Sequence, residues 1–167
     1  MFTEIVQMPS ICKLPWFPLK SRGQSSDYIT VHFCAREVPI PMKSVRALII
    51  DDSSVMRKIV ERALRQAGVE LSELREASNG AEALAWLGQS GVDLILCDIN
   101  MPVMDGLEFV KRLKDVDNAK GVPVVMITTE GSESHVVQAL SMGAKGYIRK
   151  PFTPDQVKEH VLPLLQG

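Results

Sequence analysis

Residues 44 to 167 predict an α/β fold: five parallel strands in one doubly wound sheet with helices on both faces. Two observations carry this. Short apolar runs are continuous instead of alternating, as in strands buried on both sides. Helical patterns separate them, so that five strands and five helices alternate strictly, the order produced by right-handed crossovers between parallel strands.

Val45 to Ile50 is apolar except for Arg46 and reads as the first strand. Ser54 to Ala67 follows as a helix with Val55, Ile59, Val60, Ala63 and Leu64 on one face, and Gly68 is its stop. Leu74 to Ala77 is a short second strand and Ala81 to Leu87 the second helix. Val92 to Cys97 and Val122 to Ile127 are apolar runs like the first, separated by a helix over Leu107 to Leu113. Ser134 to Met142, Gly146 to Arg149 and Pro154 to Leu165 complete the alternation as helix, strand and helix. Pro163 lacks an amide donor and is expected to bend or end the last helix at its last turn.

The chain has 167 residues, a formal net charge of -1, 46% hydrophobic and 23% charged residues. That length accommodates one domain with a real core plus an appendage. Near-neutral charge without a Lys/Arg cluster argues against nucleic acid or anionic membrane as partner. No apolar stretch approaches the roughly 20 residues of a membrane span, and no signal peptide is read. Cys12, Cys34 and Cys97 are odd in number and at no metal-ligand spacing, which fits a reducing cytoplasmic setting. Cys97 lies in an apolar run and reads as a small core residue.

Composition changes near residue 43. Residues 1 to 43 hold Pro9, Pro15, Pro18, Pro39 and Pro41 and a net charge of +2, leaving the body near -3. Tyr28 to Ala35 has strand character, but the leader lacks a sustained helical period, so a poorly ordered extension is expected. Met42 immediately precedes the patterned region and would serve as an initiator, making the first 41 residues a start-site artefact on that reading.

The chemistry-bearing residues fall at one edge. Asp51 and Asp52 end the first strand, Asp98 the third and Thr128-Thr129 the fourth, while Lys150-Pro151 follows the fifth. Open sheets bind ligands at the carboxyl ends of their strands. Three converging carboxylates repel one another unless a cation joins them. Hard oxygen donors of this kind select Mg²⁺. Taken singly, each residue has a bland reading, an N-cap acid or a solvated lysine; the combination carries the signal.

LIIDDSSVMRKIV, LILCDINMPVMDG, VVMITTEG and GAKGYIRKPF resemble, in order and spacing, the receiver domain of bacterial two-component response regulators, most closely the CheY type, over about residues 45 to 166. The resemblance implies a flavodoxin-like sheet in which Asp98 accepts a phosphoryl group from a histidine kinase or phosphotransfer protein. It implies Mg²⁺ held by Asp51, Asp52, Asp98 and the backbone carbonyl of Asn100, with Asp52 the more direct ligand. Lys150 and Thr128 would contact the phosphoryl oxygens, and Pro151 would follow a cis peptide. Tyr147 is similar to the family's switch aromatic, turning inward as Thr128 moves and remodelling a target-binding face over roughly residues 132 to 166. Asn100 and Glu130 occupy the positions that tune phosphoryl lifetime, here predicted to be short.

Two departures from the family pattern stand out, Ile99 and, in the last helix, Pro163. Ile99 follows the acceptor where the CheY type commonly has Trp, and Trp86 lies on the second helix, away from the site. His135 and His160, on the candidate output helices, read as exposed and uninvolved. Met101 and Met104 follow Asp98 in a loop that Met101-Pro102 would shape.

After Gly146 to Lys150 one further helix fits before Gly167, with no DNA-recognition helix, so a stand-alone signalling receiver is expected, as in chemotaxis or a phosphorelay. It would be an enzyme only toward its own phosphorylation and dephosphorylation. Two alternatives are a phosphorylation-independent adaptor of the same fold and an aspartyl-phosphate phosphatase. The latter wants a second acid two residues beyond the nucleophile, where Asn100 stands.

Overall fold

The computed structural model of the chain describes residues 44–129 and 133–166. The leader with its expected strand over Tyr28 to Ala35, and Glu130, lie outside the described residues.

Strand and helix alternate as follows: β1 Val45–Ile50, α1 Ser54–Gln66, β2 Leu71–Ala77, α2 Gly80–Leu87, β3 Leu94–Asp98, α3 Gly106–Leu113, β4 Val124–Thr128, α4 Glu133–Ser141, β5 Gly146–Arg149 and α5 Pro154–Leu165. The five strands form one parallel sheet in the order β2-β1-β3-β4-β5. The order reverses between β1 and β3, so their carboxyl ends flank the topological switch point.

The continuous apolar runs are explained by the two cores they serve. One residue parity of the strands, with Leu48, Ile50, Ile95, Cys97, Val124 and Met126, packs with Phe109 of α3 and the buried residues of α2 and α4. The other parity, with Ile49, Leu94, Leu96, Val125 and Ile127, packs with Val60 and Leu64 of α1 and Val157 and Val161 of α5. Each such side chain contributes roughly 1.5–3 kcal/mol on full burial. β3 and β4, buried at every position, therefore fix the sheet's centre.

Helix ends follow their local sequence. Ser53, Asn79, Asp105 and Thr153 cap α1, α2, α3 and α5, and the Thr153–Gln156 pair forms a full capping box beside Pro154. Gly68 ends α1 at φ +87°, with its amide on the Arg65 carbonyl and the Val69 amide on the Leu64 carbonyl, a Schellman arrangement. Gly143, at φ +112°, closes α4 in the same way.

Two expectations need correction. β2 begins at Leu71, three residues before the predicted start, because an edge strand with half-exposed faces tolerates Ser72 and Glu73. The buried stripe of α1 runs through Met56, Val60, Ala63, Leu64 and Ala67, whereas Val55 is 68% and Ile59 47% exposed. Val55 and Ile59 each lie some 100° around the helix from a neighbour that does pack, Met56 and Val60. Pro163 lies in the last turn of α5, which ends at Leu165, two residues beyond it.

Candidate functional site

The ends of β1 and β3 bring Asp51, Asp52 and Asp98 together, one carboxylate oxygen of each lying within 4.8 Å of the others. Asp51 and Asp98 are buried and Asp52 is exposed. Such a cluster would be self-repelling but for Lys150, which arrives from the end of β5. Its ammonium donates to Asp51 Oδ2 at 2.7 Å and to Asp98 Oδ1 at 3.0 Å, with the lysine side chain only 9% exposed. The cation that joins the buried acids is thus part of the fold. Counting Asp52, three negative charges face one positive, leaving two uncompensated, with Asp52 open to solvent.

Burial raises the Asp98 carboxyl above its ordinary range; Lys150 opposes this and Asp51 adds to it. For Lys150 burial pulls downward, but its hydrogen bonds and charge interactions with Asp51 and Asp98 prevail and its pKa is raised. Lys150 is therefore held between two buried carboxylates that its removal would strand.

Asp51 is engaged at every polar atom: its amide donates to the Ala77 carbonyl (3.1 Å), Oδ1 accepts from the Ser53 amide (2.9 Å), Oδ2 from Lys150, and its carbonyl from Arg57 Nη1 (2.7 Å). That leaves Asp52 as the carboxylate available to an incoming cation.

Thr128 closes β4, is 1% exposed, and accepts the Lys150 amide at its carbonyl (2.8 Å). The Lys150–Pro151 peptide is cis, as the sequence led us to expect. Asn100 is exposed in the loop after Asp98. That loop is bolted down by Met101 and Met104, both buried, around a turn in which Val103 adopts φ +68° and the Met104 amide reaches the Pro102 carbonyl (2.7 Å). Cys97 is buried and its thiol pushed far up by burial, as a core residue should be.

Tyr147 points outward, 43% exposed, its ring centroid 6.3 Å from that of His160. His160 is exposed, as expected, with Tyr147 as its ring neighbour, whereas His135 is half-buried instead of exposed. Both sit on helices whose faces a period of 3.6 assigns only loosely.

Three residues escaped the sequence reading. Gly106 is required because a Cβ there would stand 2.2 Å from the Asp98 carbonyl oxygen; the MDG segment carried that signal. Arg57 and Glu76 meet at 2.8 Å across 19 residues, a pairing no local pattern reveals.

Residues 47–162 match the response regulator receiver domain. Similar sequences include chemotaxis protein CheY1 of Helicobacter pylori, 40% identical over 116 residues, covering 69% of this chain and 92% of that one. A chemotaxis CheY homologue of Campylobacter jejuni is 38% identical over 122 residues, covering 72% and 92%. Among solved structures, chemotaxis protein CheY4 of Vibrio cholerae aligns with a TM-score of 0.65 at 35% identity, covering 73% of this chain and 99% of that one. Among the described residues no helix is long and apolar enough to cross a membrane.

Proposed function

This chain belongs to the response regulator receiver-domain family, and from that premise we propose that it is a switch set by phosphorylation of Asp98. The observation that carries the proposal is the Lys150 bridge between Asp51 and Asp98 beside an exposed Asp52.

Asp98 acts as nucleophile: one carboxylate oxygen attacks the phosphorus of a phosphohistidine on a histidine kinase or phosphotransfer protein, and the histidine nitrogen leaves. Lys150, already at Asp98 Oδ1, follows the charge as it passes from the carboxylate to the phosphoryl oxygens. Thr128, at the neighbouring strand end, donates its hydroxyl to one of them. The donor set is all oxygen and two negative charges in excess, which fits Mg²⁺ held by Asp52, Asp98, the Asn100 carbonyl and Asp51. Bound there, Mg²⁺ supplies charge neutralisation during in-line transfer.

Asn100 and Glu130 govern the attack of water on the phosphoryl group and so give it a short lifetime. Thr128, drawn toward the phosphate, frees space for Tyr147 to turn inward from its exposed position near His160. The α4, β5 and α5 face, over roughly residues 132 to 166, then binds a target protein. The domain catalyses only its own phosphorylation and dephosphorylation.

The test is incubation with acetyl phosphate and Mg²⁺ followed by intact mass spectrometry. One phosphoryl adduct that vanishes in Asp98→Asn is expected. Absence of any adduct in the native chain would favour the phosphorylation-independent adaptor. Decay of the adduct in Mg²⁺ checks the lifetime, with persistence for many hours counting against a role for Asn100 and Glu130.

A further inference from the structure

We infer that Arg57, clamped by Glu76, is a positioning residue for the Mg²⁺ ligands: it fixes the peptide that joins Asp51 to Asp52 and thereby sets metal affinity. The inference rests on the proposed Mg²⁺ site and extends it to two residues that would touch neither metal nor phosphate.

β1 ends at Ile50, so the Asp51 carbonyl lies beyond the last residue of the strand. A carbonyl that leaves the ladder needs another donor. Arg57, in the second turn of α1, supplies it through Nη1 at 2.7 Å. A peptide unit is planar, so the donor that holds this carbonyl also orients the amide and Cα of Asp52. Asp52, exposed and without a strand to align it, has this peptide as its link to the sheet.

Arg57 is itself fixed. Its Nε donates to Glu76 Oε2 at 2.8 Å, and its side chain is 15% exposed. Glu76 lies near the end of β2 and also accepts from Lys58 at 2.7 Å; Lys58 first, then Arg57, keeps its carboxyl below the ordinary range and so ionised. The planar guanidinium reaches both the Glu76 carboxylate and the Asp51 carbonyl with two of its five donors, a fork that a single ammonium cannot reproduce. The chain of contacts therefore runs from the edge strand, through Arg57, into the peptide preceding Asp52.

Charge opposes position here. A cation near the acids weakens Mg²⁺ binding, so deleting Arg57 alone would mix the two effects. Two variants separate them: Arg57→Lys keeps the charge and loses the fork, and the double variant Arg57→Ala with Glu76→Ala removes both partners with no net change. Mg²⁺ binding to the full chain is measured by titration calorimetry, with thermal melting in EDTA as the check on the fold.

The expected result is a rise in Mg²⁺ Kd on the order of tenfold in both variants, as for outer-shell partners of metal ligands, while the metal-free melt stays near native. An unchanged Kd in Arg57→Lys overturns the inference. So does weakened binding that tracks loss of the fold in EDTA in both variants; if only the double variant unfolds, Arg57→Lys decides. A native chain that takes up no Mg²⁺ removes the site itself, a failure of the proposed function recognisable before any variant is made.

Discussion

The acid edge of the sheet and the α4–β5–α5 face are built on opposite terms. At the edge, Asp51, Asp98 and Thr128 are buried, and Lys150 joins the ends of β1, β3 and β5. On the α4–β5–α5 face Val137 (64%), Leu140 (41%) and Tyr147 (43%) stand exposed. The first region holds its groups by many mutual constraints, whereas the second leaves apolar surface uncommitted. Chemistry needs atoms held still, while a readout needs a surface with two arrangements close in energy.

Substitutions sharpen this contrast. Lys150→Met should do the most damage, on the order of 3–5 kcal/mol, because it strands two buried carboxylates; chemical denaturation in EDTA measures it, and a loss under about 1 kcal/mol would show the edge to be less constrained than its geometry. Gly106→Ala comes next, at about 3 kcal/mol, since a Cβ 2.2 Å from the Asp98 carbonyl forces the backbone apart. The same denaturation experiment checks it.

Asp98→Asn should act in the other direction, raising metal-free stability. The sign follows from linkage. Burial first, then Asp51, lifts the folded-state pKa of Asp98 above its unfolded value despite Lys150, so the ionised form costs stability at neutral pH. That cost falls away as pH drops through the raised folded value toward the unfolded value near 4. The gap in melting temperature between Asp98→Asn and the native chain should therefore narrow on acidification; a gap independent of pH would refute it. Smallest of all, Val137→Ser should change stability by no more than about 0.5 kcal/mol, and a larger loss in the same melt would mean the face is packed after all.

Much of the fold was legible because its strands are buried on both sides: β1, β5 and α5 run between the residues that the sequence suggested. Legibility failed where burial depends on neighbours. Val55 and Ile59 are apolar and nearly in phase, yet α1 turns Met56, Val60 and Leu64 inward. The start of β2 is hidden because an edge strand carries polar residues, here Ser72 and Glu73, that break a hydrophobic run. At the site, Asp51, Asp52, Asp98 and Lys150 were readable from their places at strand ends. The direct contact of Lys150 with both buried acids was not, nor was the Arg57–Glu76 clamp, because each depends on residues far apart in the chain.

Lys150 reaches Asp51 across 99 residues of sequence. A nascent chain still threaded on the ribosome, or one cut short before its last strand, carries Asp98 without its counter-ion. On the proposed chemistry such fragments stay silent, so only finished molecules can report a stimulus, and the lysine doubles as a proof of completion.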